Sequence, residues 1–303
     1  MQNLVLSGGG INGIMELGSL KALETVNLLE NIKNYCGSSI GSIICFLLVL
    51  NYSPTDIFLT LKKIDFSDLV EENILNFLDT YSLCNLNKIE IVLSMLLELK
   101  YNVKKISYLE LYNKTKKKLN IVSICLSKQE LTTFNYINTP DVDIIDSIVA
   151  SCSIPLVFPS KNINNNDYFD AFMINNFPIN IFKNDLKNTI GIRITPNMYQ
   201  NNNENADITS YVFNILNCIL KITSGNFDKY VPKMNIHIYS DYVSINFNIN
   251  NDDKNNLFIT GYNSTINIIN NYKKKHALKI LKKNRFSKKY YIKYWYNLFL
   301  NLI

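Results

Sequence analysis

Ser39 stands in the run Gly37-Ser38-Ser39-Ile40-Gly41, a serine with a glycine two residues to either side. On a strand-to-helix turn this spacing is that of a nucleophile elbow, which lifts one hydroxyl clear of the backbone. A second run, Gly8-Gly9-Gly10-Ile11-Asn12-Gly13, precedes it. Glycine is otherwise scarce: ten in 303 residues, seven of them within the first 41 positions. Glycine is needed where backbone must come close to a ligand or take positive φ. The first run has two readings. As Gly-x-Gly-x-x-Gly between strand and helix it matches a dinucleotide fingerprint, which wants an acidic residue about 20 positions on. That position falls at Asn34-Tyr35-Cys36, without a carboxylate. As an oxyanion hole it would turn backbone N–H groups toward a developing negative charge. The elbow after it favours the second reading, and the nucleotide-binding module stays as an alternative.

The elements that must carry these residues follow from the apolar pattern. Asn3 to Leu6 reads as a buried strand, and Ile14 to Leu29 has apolar residues at helical spacing. Tyr35 and Cys36 lead into the elbow, and Ile40 to Leu50 is a nearly continuous apolar helix ending near Pro54. Strand, helix, strand, helix opens a parallel α/β sheet. Residues 55–118 read as a more polar helical cap. Leu119 to Leu126, Leu131 to Ile137, Ile190 to Ile194 and Met234 to Tyr239 read as strands, and Val142 to Ala150 and Ala206 to Ile222 as helices. The asparagine-rich stretches Asn162 to Asn166, Gln200 to Asn205 and Asn246 to Asn256 read as loops. No repeat and no linker is evident, so one domain over residues 1–272 and a tail over 273–303 are expected.

A serine nucleophile needs a base. The chain has only two histidines. His276 lies in the basic tail and His237 inside an apparent strand, Met234-Asn235-Ile236-His237-Ile238-Tyr239, so a carboxylate is the stronger candidate.

The two glycine runs together resemble the patatin-like phospholipases. In that family the serine's partner is an aspartate in an Asp-Gly-Gly or Asp-Gly-Ala turn, with Asn-x-Pro close behind. Asp170-Ala171-Phe172 with Asn176-Phe177-Pro178 is similar, as is Ala150-Ser151-Cys152-Ser153-Ile154-Pro155-Leu156-Val157-Phe158-Pro159 to the family's Ala-Ser-x-x-Ile-Pro-x-x-Phe-Pro. Leu257 to Tyr262 is similar to its late Gly-Tyr helix start. The resemblance spans roughly residues 2 to 275. It implies an α/β fold in three layers, α/β/α, with a mainly parallel central sheet. It implies a Ser39–Asp170 dyad, with Gly37 and Gly41 in the elbow and Gly8, Gly9, Gly10 and Gly13 forming the oxyanion loop. It implies a lipid acyl hydrolase that cleaves phospholipids or lysophospholipids through an acyl-enzyme, with neutral acylglycerols as further substrates. Two residues depart from the pattern. Asn12 replaces the usual Arg or Lys, and Ala171 replaces a glycine. A positive φ at Ala171 would be costly and would leave a catalytically impaired lipid-binding protein as the alternative.

No run has metal-ligand spacing and no Asp-rich calcium loop occurs, so neither metal nor cofactor is expected. The net charge of +6 is uneven: Lys273 to Ile303 holds ten Lys or Arg and no acid, leaving the body slightly acidic. Nucleic acid is not an expected partner. The six cysteines read as reduced core residues, and neither a signal-like segment nor the ~20 apolar residues of a membrane span is present, so an intracellular, cytoplasmic protein is expected. The tail ends in an aromatic run with the only tryptophan, Trp295. Basic and aromatic residues together favour peripheral contact with anionic lipid, against the plainer reading of a packed last helix. Removing the tail is expected to weaken binding to anionic vesicles more than hydrolysis of a soluble short-chain ester. Co-sedimentation at rising salt checks this, since screening shortens to about 3 Å at 1 M.

Overall fold

The computed structural model describes residues 1–69, 71–72, 79, 81–197, 211–212, 214–216, 218–219, 229–242 and 247–283. At its centre is β1 (Asn3–Leu6), buried at all four residues. Parallel to it run β2 (Asn34–Gly37) on one side and β9 (Thr189–Pro196) on the other. β10 (Met234–Ser240) extends the sheet beyond β9, and β5 (Lys118–Cys125) beyond β2, both parallel. A strand flanked on both edges and covered on both faces is predominantly apolar, which is why Leu4-Val5-Leu6 is an unbroken apolar run; the buried Asn3 before it is hydrogen-bonded to Asp185, Thr189 and Asn34. Three further strands join antiparallel to a neighbour: β6 (Glu130–Phe134) and β8 (Asn166–Asp170) on β5, and β7 (Lys161–Ile163) on β8. A separate small pair, β3 (Glu71–Glu72) and β4 (Cys84–Asn85), lies in the cap.

Leu4 and Leu6 turn to the main core, which joins α1 (Gly13–Thr25), α2 (Ile40–Val49), α3 (Pro54–Lys63) and α4 (Phe66–Leu69). The same core takes in α5 (Asn87–Tyr101), α6 (Tyr108–Thr115), α7 (Ile144–Cys152) and α9 (Asn251–Lys283). Val5 and Cys36 face the other way, onto Phe177 and Ile179. That second face is covered, among the described residues, by two 3-10 turns, Ile179–Phe182 and Leu186–Asn188, with Tyr230, while α8 (Phe172–Asn175) packs on the main core through Phe172 and Met173. The three layers are therefore unequal. The helix read over Ala206 to Ile222 falls mostly outside the described residues, as does the loop at Gln200 to Asn205.

Two asparagine-rich stretches differ from the loops expected of them. Asn164 and Asn165, with φ of 51° and 60°, form the two-residue turn of a β7–β8 hairpin with Ile163 paired to Asn166. Positive φ at both central residues suits a strand-twisted hairpin, and asparagine tolerates it. Asn250 is a helix start: its Oδ1 accepts from the N–H groups of Asp252 and Asp253, so α9 begins at Asn251. Gly261-Tyr262 is thus inside a helix and does not begin one. The glycine is there for packing. A Cβ on Gly261 would sit 2.0 Å from the Met15 carbonyl oxygen, and one on Gly18 would sit 2.0 Å from that of Phe258. The two glycines let α1 and α9 cross with backbones nearly touching, and Ser19 Oγ donates to the Gly261 carbonyl at 3.3 Å.

Cys36, Cys45, Cys125 and Cys152 are buried as expected, while Cys84 is half-buried and Cys218 exposed. No described helix is long and apolar enough to cross a membrane. α9 continues past Lys273 to Lys283 without a break at residue 272. The truncation test is therefore best made after Lys283; the aromatic end of the tail lies outside the described residues. At the crossing, Gly261→Ala is expected to lower the denaturant midpoint at unchanged slope, with a loss of about 1–3 kcal/mol, measured by urea unfolding.

Candidate active site

Three strand ends bring the chemistry together at one edge of the sheet. β1 pairs Leu6 with Gly37 of β2, and Gly37 pairs with Ile121 of β5. Two residues further along β5, Ser123 pairs with Asp170 of the antiparallel β8. The glycine loop after β1, Ser39 after β2 and Asp170 at the end of β8 thus share one level, at the carboxyl ends of the parallel strands where open α/β sheets hold their ligands.

Ser39 has φ 52° and ψ −128°, a conformation that L residues rarely adopt. It is the N-cap of α2 and is 8% exposed. Its own N–H donates to Ser151 Oγ at 2.9 Å, and Ser151 Oγ donates on to the Val122 carbonyl at 2.7 Å. The turn is tight enough that a Cβ on Gly37 would sit 2.3 Å from the Gly41 carbonyl oxygen, and one on Gly41 would sit 2.5 Å from that of Ser7. Ser38 is fully buried, with its hydroxyl lacking a hydrogen-bond partner.

Asp170 is fully buried. Its N–H donates to the Ser153 carbonyl, and its Oδ1 accepts from the Phe172 N–H at 2.9 Å. Oδ2 makes no well-aligned hydrogen bond. Burial raises the carboxyl from its ordinary 3.8 to about 7, against smaller opposing effects of the Ser39 hydroxyl and the Phe172 N–H. The Ser39 hydroxyl acts to lower the carboxyl's pKa, and catalytic hydrogen bonds are often long or poorly aligned until substrate binds. Ala171 has φ −78° and ψ 3°, an ordinary conformation for alanine. The absent glycine therefore costs nothing, and the ground for an impaired site falls away.

The glycine loop divides into donors and spacers. Gly8 N–H donates to the Asn176 carbonyl at 2.9 Å, and Gly13 N–H to the carbonyls of Gly10 and Ile11. Neither is left to meet an oxyanion, which corrects the expectation for these two. They are close approaches: a Cβ on Gly8 would meet Asn176 Oδ1 at 2.2 Å, and one on Gly13 would meet Ile40 at 2.4 Å. The N–H groups of Gly9 and Gly10 make no hydrogen bond among the described residues, and Gly10 holds φ 54°.

Several groups around the loop had no assigned role in the sequence. Asn176 also donates through Nδ2 to the Gly8 carbonyl, so the Asn-x-Pro segment clasps the loop from both sides. Glu16, buried on α1, accepts from Ser7 N–H and Oγ through one oxygen, both at 3.0 Å. Burial lifts its pKa well above the usual range. Its position on a helix gave no signal of this. Asn12 is tied to β10, accepting from Ser240 Oγ and donating to the Tyr242 carbonyl.

His237 contacts Arg193 through Nδ1 at 3.1 Å and Thr195 through Nε2 at 2.9 Å. It stands three strands from β2, about 14 Å on the usual strand spacing, so it is not brought to Ser39. The side chain of His276 lies outside the described residues.

Ser39 and Gly10 open on a cavity of about 130 Å³, far more than the 10–15 Å³ or so that one water needs. Its walls are apolar stripes at helical spacing: Ile40, Ile43 and Leu47 of α2, and Ile89, Val92 and Leu96 of α5. A wall of this kind suits a hydrocarbon chain and offers a polar ligand nothing to bind.

A family model described as patatin-like phospholipase matches residues 4–183. The chain is 36% identical over 183 residues to the probable lipid hydrolase 463L of Invertebrate iridescent virus 6, covering 59% of this chain and 62% of that protein. It is 25% identical over 267 residues to the triacylglycerol lipase ptl3 of Schizosaccharomyces pombe, covering 81% of this chain and 52% of that one. It thus spans less than two thirds of either relative. In structure it is similar to VipD from Legionella pneumophila, with a TM-score of 0.57 at 15% identity over 89% of this chain and 67% of that one; this likeness shows the fold. The family match runs from the first strand through the Ser39 elbow and the Asp170 strand to the 3-10 turn beyond Pro178, and the chain belongs to the patatin-like phospholipase family.

Proposed function

We propose that this chain is a serine acyl hydrolase of lipid esters. The observation that carries the reading is one cavity with a strained, accessible serine at its head, hydrocarbon walls along its length, and a buried aspartate of pKa about 7 behind the serine. In this reading Asp170 takes the Ser39 proton as Oγ attacks the ester carbonyl. The free N–H groups of Gly9 and Gly10 stabilise the oxyanion, and as it collapses Asp170 gives its proton to the departing alkoxide, which leaves as the alcohol. Water then attacks the acyl-enzyme with Asp170 again as base, releasing the fatty acid. An ordinary aspartate is too weak a base at neutral pH; a carboxyl raised to about 7 is matched to the task.

Phospholipids and lysophospholipids are the proposed substrates, on family membership. The named activity of the fission-yeast relative supports neutral acylglycerols as the second reading. Release of fatty acid from phosphatidylcholine, lysophosphatidylcholine and triolein, assayed side by side, decides between them. The basic tail is proposed to hold a cytoplasmic protein against anionic lipid while the cavity takes the acyl chain.

Ser39→Ala should abolish ester hydrolysis in a folded protein, while Ser38→Ala retains it. Asp170→Asn should cost several orders of magnitude and His237→Ala little, read as kcat/KM on a soluble ester. In the wild type kcat/KM should rise with pH through about 7, as Asp170 loses its proton.

Stability should run the other way. Asp170 binds its proton more tightly folded, at about 7, than unfolded, near 3.8. The unfolded chain therefore ionises first, and stability falls as pH rises from about 4 to 7, by up to about 4 kcal/mol. Asp170→Asn, inactive, should thus melt higher than wild type at pH 8 and gain less at pH 5, by calorimetry at both.

A further inference from the structure

Ser39 caps the head of α2, and Tyr52 lies just past its last turn; both line the same cavity. Between them the stripe Ile40, Ile43 and Leu47 runs for about 10 Å at helical rise. The cavity therefore follows α2 from the serine to the tyrosine. Asn51 turns the chain with φ 63°, and the Tyr52 N–H returns to the Leu47 carbonyl at 3.0 Å. This holds the backbone of Tyr52 against the last turn of α2, at the end of the stripe. The Tyr52 hydroxyl then donates to the Leu96 carbonyl of α5 at 2.9 Å, on the facing wall. The exposed Lys100 also places its ammonium 4.3 Å from the ring centroid. Tyr52 is half-buried and lines the cavity.

We propose that Tyr52 is the floor of the cavity and sets the longest acyl chain the enzyme accommodates. The inference rests on the acyl-hydrolase reading above. A chain whose carbonyl sits between Ser39 and Gly10 runs down the α2 stripe, and each buried methylene favours it by about fourfold. The gain ends where the chain meets the ring, whose hydroxyl is tied to the facing wall at Leu96 while its backbone is tied to the end of α2. Further methylenes must bend back or stay in water.

The test is a kcat/KM profile over p-nitrophenyl esters from butyrate to palmitate, for the full chain and its variants. Fluorophosphonate labelling of Ser39 reports that each variant is folded. The wild type should rise with chain length and then fall. Tyr52→Ala should carry the fall to longer chains, raising the palmitate-to-butyrate ratio about tenfold or more, as two or three methylenes find room. Tyr52→Trp, which fills more of the floor, should move the fall to shorter chains. Tyr52→Phe, which keeps the ring and loses the tie to Leu96, should blunt the fall without moving it as far as alanine. If Tyr52→Ala fails to label, the tryptophan variant decides. An active wild type whose profile is matched by the labelled alanine and tryptophan variants overturns the role of Tyr52 alone. A wild type that hydrolyses none of the esters overturns the acyl-hydrolase reading and this inference with it.

Discussion

Between β2 and α2 the backbone turns on one residue, Ser39, at φ 52° and ψ −128°. A conformation of this kind costs on the order of 1–3 kcal/mol and persists only where the surroundings leave no alternative. Those surroundings can be named. Gly37 and Gly41 bring strand, turn and the Ser7 carbonyl into contact distances that exclude a side chain. Ser151 takes the Ser39 N–H and is itself anchored to β5. Ser42 Oγ donates to the Ser39 carbonyl at 2.6 Å. The strain leaves one hydroxyl facing the cavity, at the head of a helix whose dipole favours negative charge there, while the neighbouring Ser38 is sealed in the core. The glycine loop is held in the same way, by Asn176 on Gly8 and Glu16 on Ser7.

The second constraint is burial. Asp170 lies behind the serine with one oxygen satisfied and the other left without a well-aligned partner. Such a carboxyl destabilises the fold once ionised, and the same penalty moves its pKa to where a base is useful. The cost is tolerable because the site rests on a rigid frame. β8 is fixed by its hairpin to β7 and by pairing to β5, and the 3-10 turns after Pro178 seal the second face of the sheet.

α2 links the two ends of the site. Its head carries the serine, one stripe of its surface walls the cavity, and its last turn hands the chain to Tyr52. The depth of the cavity is thus tied to the length of a single helix. The likeness to VipD at 15% identity shows that the fold survives extensive change of sequence.

The sequence by itself determined the parts governed by local rules. Glycine clustering marked both turns, because a Cβ at Gly37 or Gly41 would run into backbone and one at Gly8 or Gly13 into the side chains of Asn176 and Ile40. Apolar runs and helical spacing marked β1, β2, α1 and α2, and the order of motifs carried the family. Asp170 was legible only through that resemblance, since nothing in its own surroundings distinguishes it from a turn-capping carboxylate. The roles set by contacts across long stretches of chain were decided by the tertiary structure. Gly8 and Gly13 looked like donors until Asn176 and the 3-10 turn were seen to occupy their N–H groups. Gly261 looked like a helix start until α1 was packed against it. Asn164-Asn165 looked like loop until the two strands on either side paired. Ala171 looked costly until its φ was seen to be negative, and Tyr52 was one aromatic residue among many until α5 was placed across from it. Each of these depends on which surface lies opposite, and the spacing of residues along the chain carries no record of that.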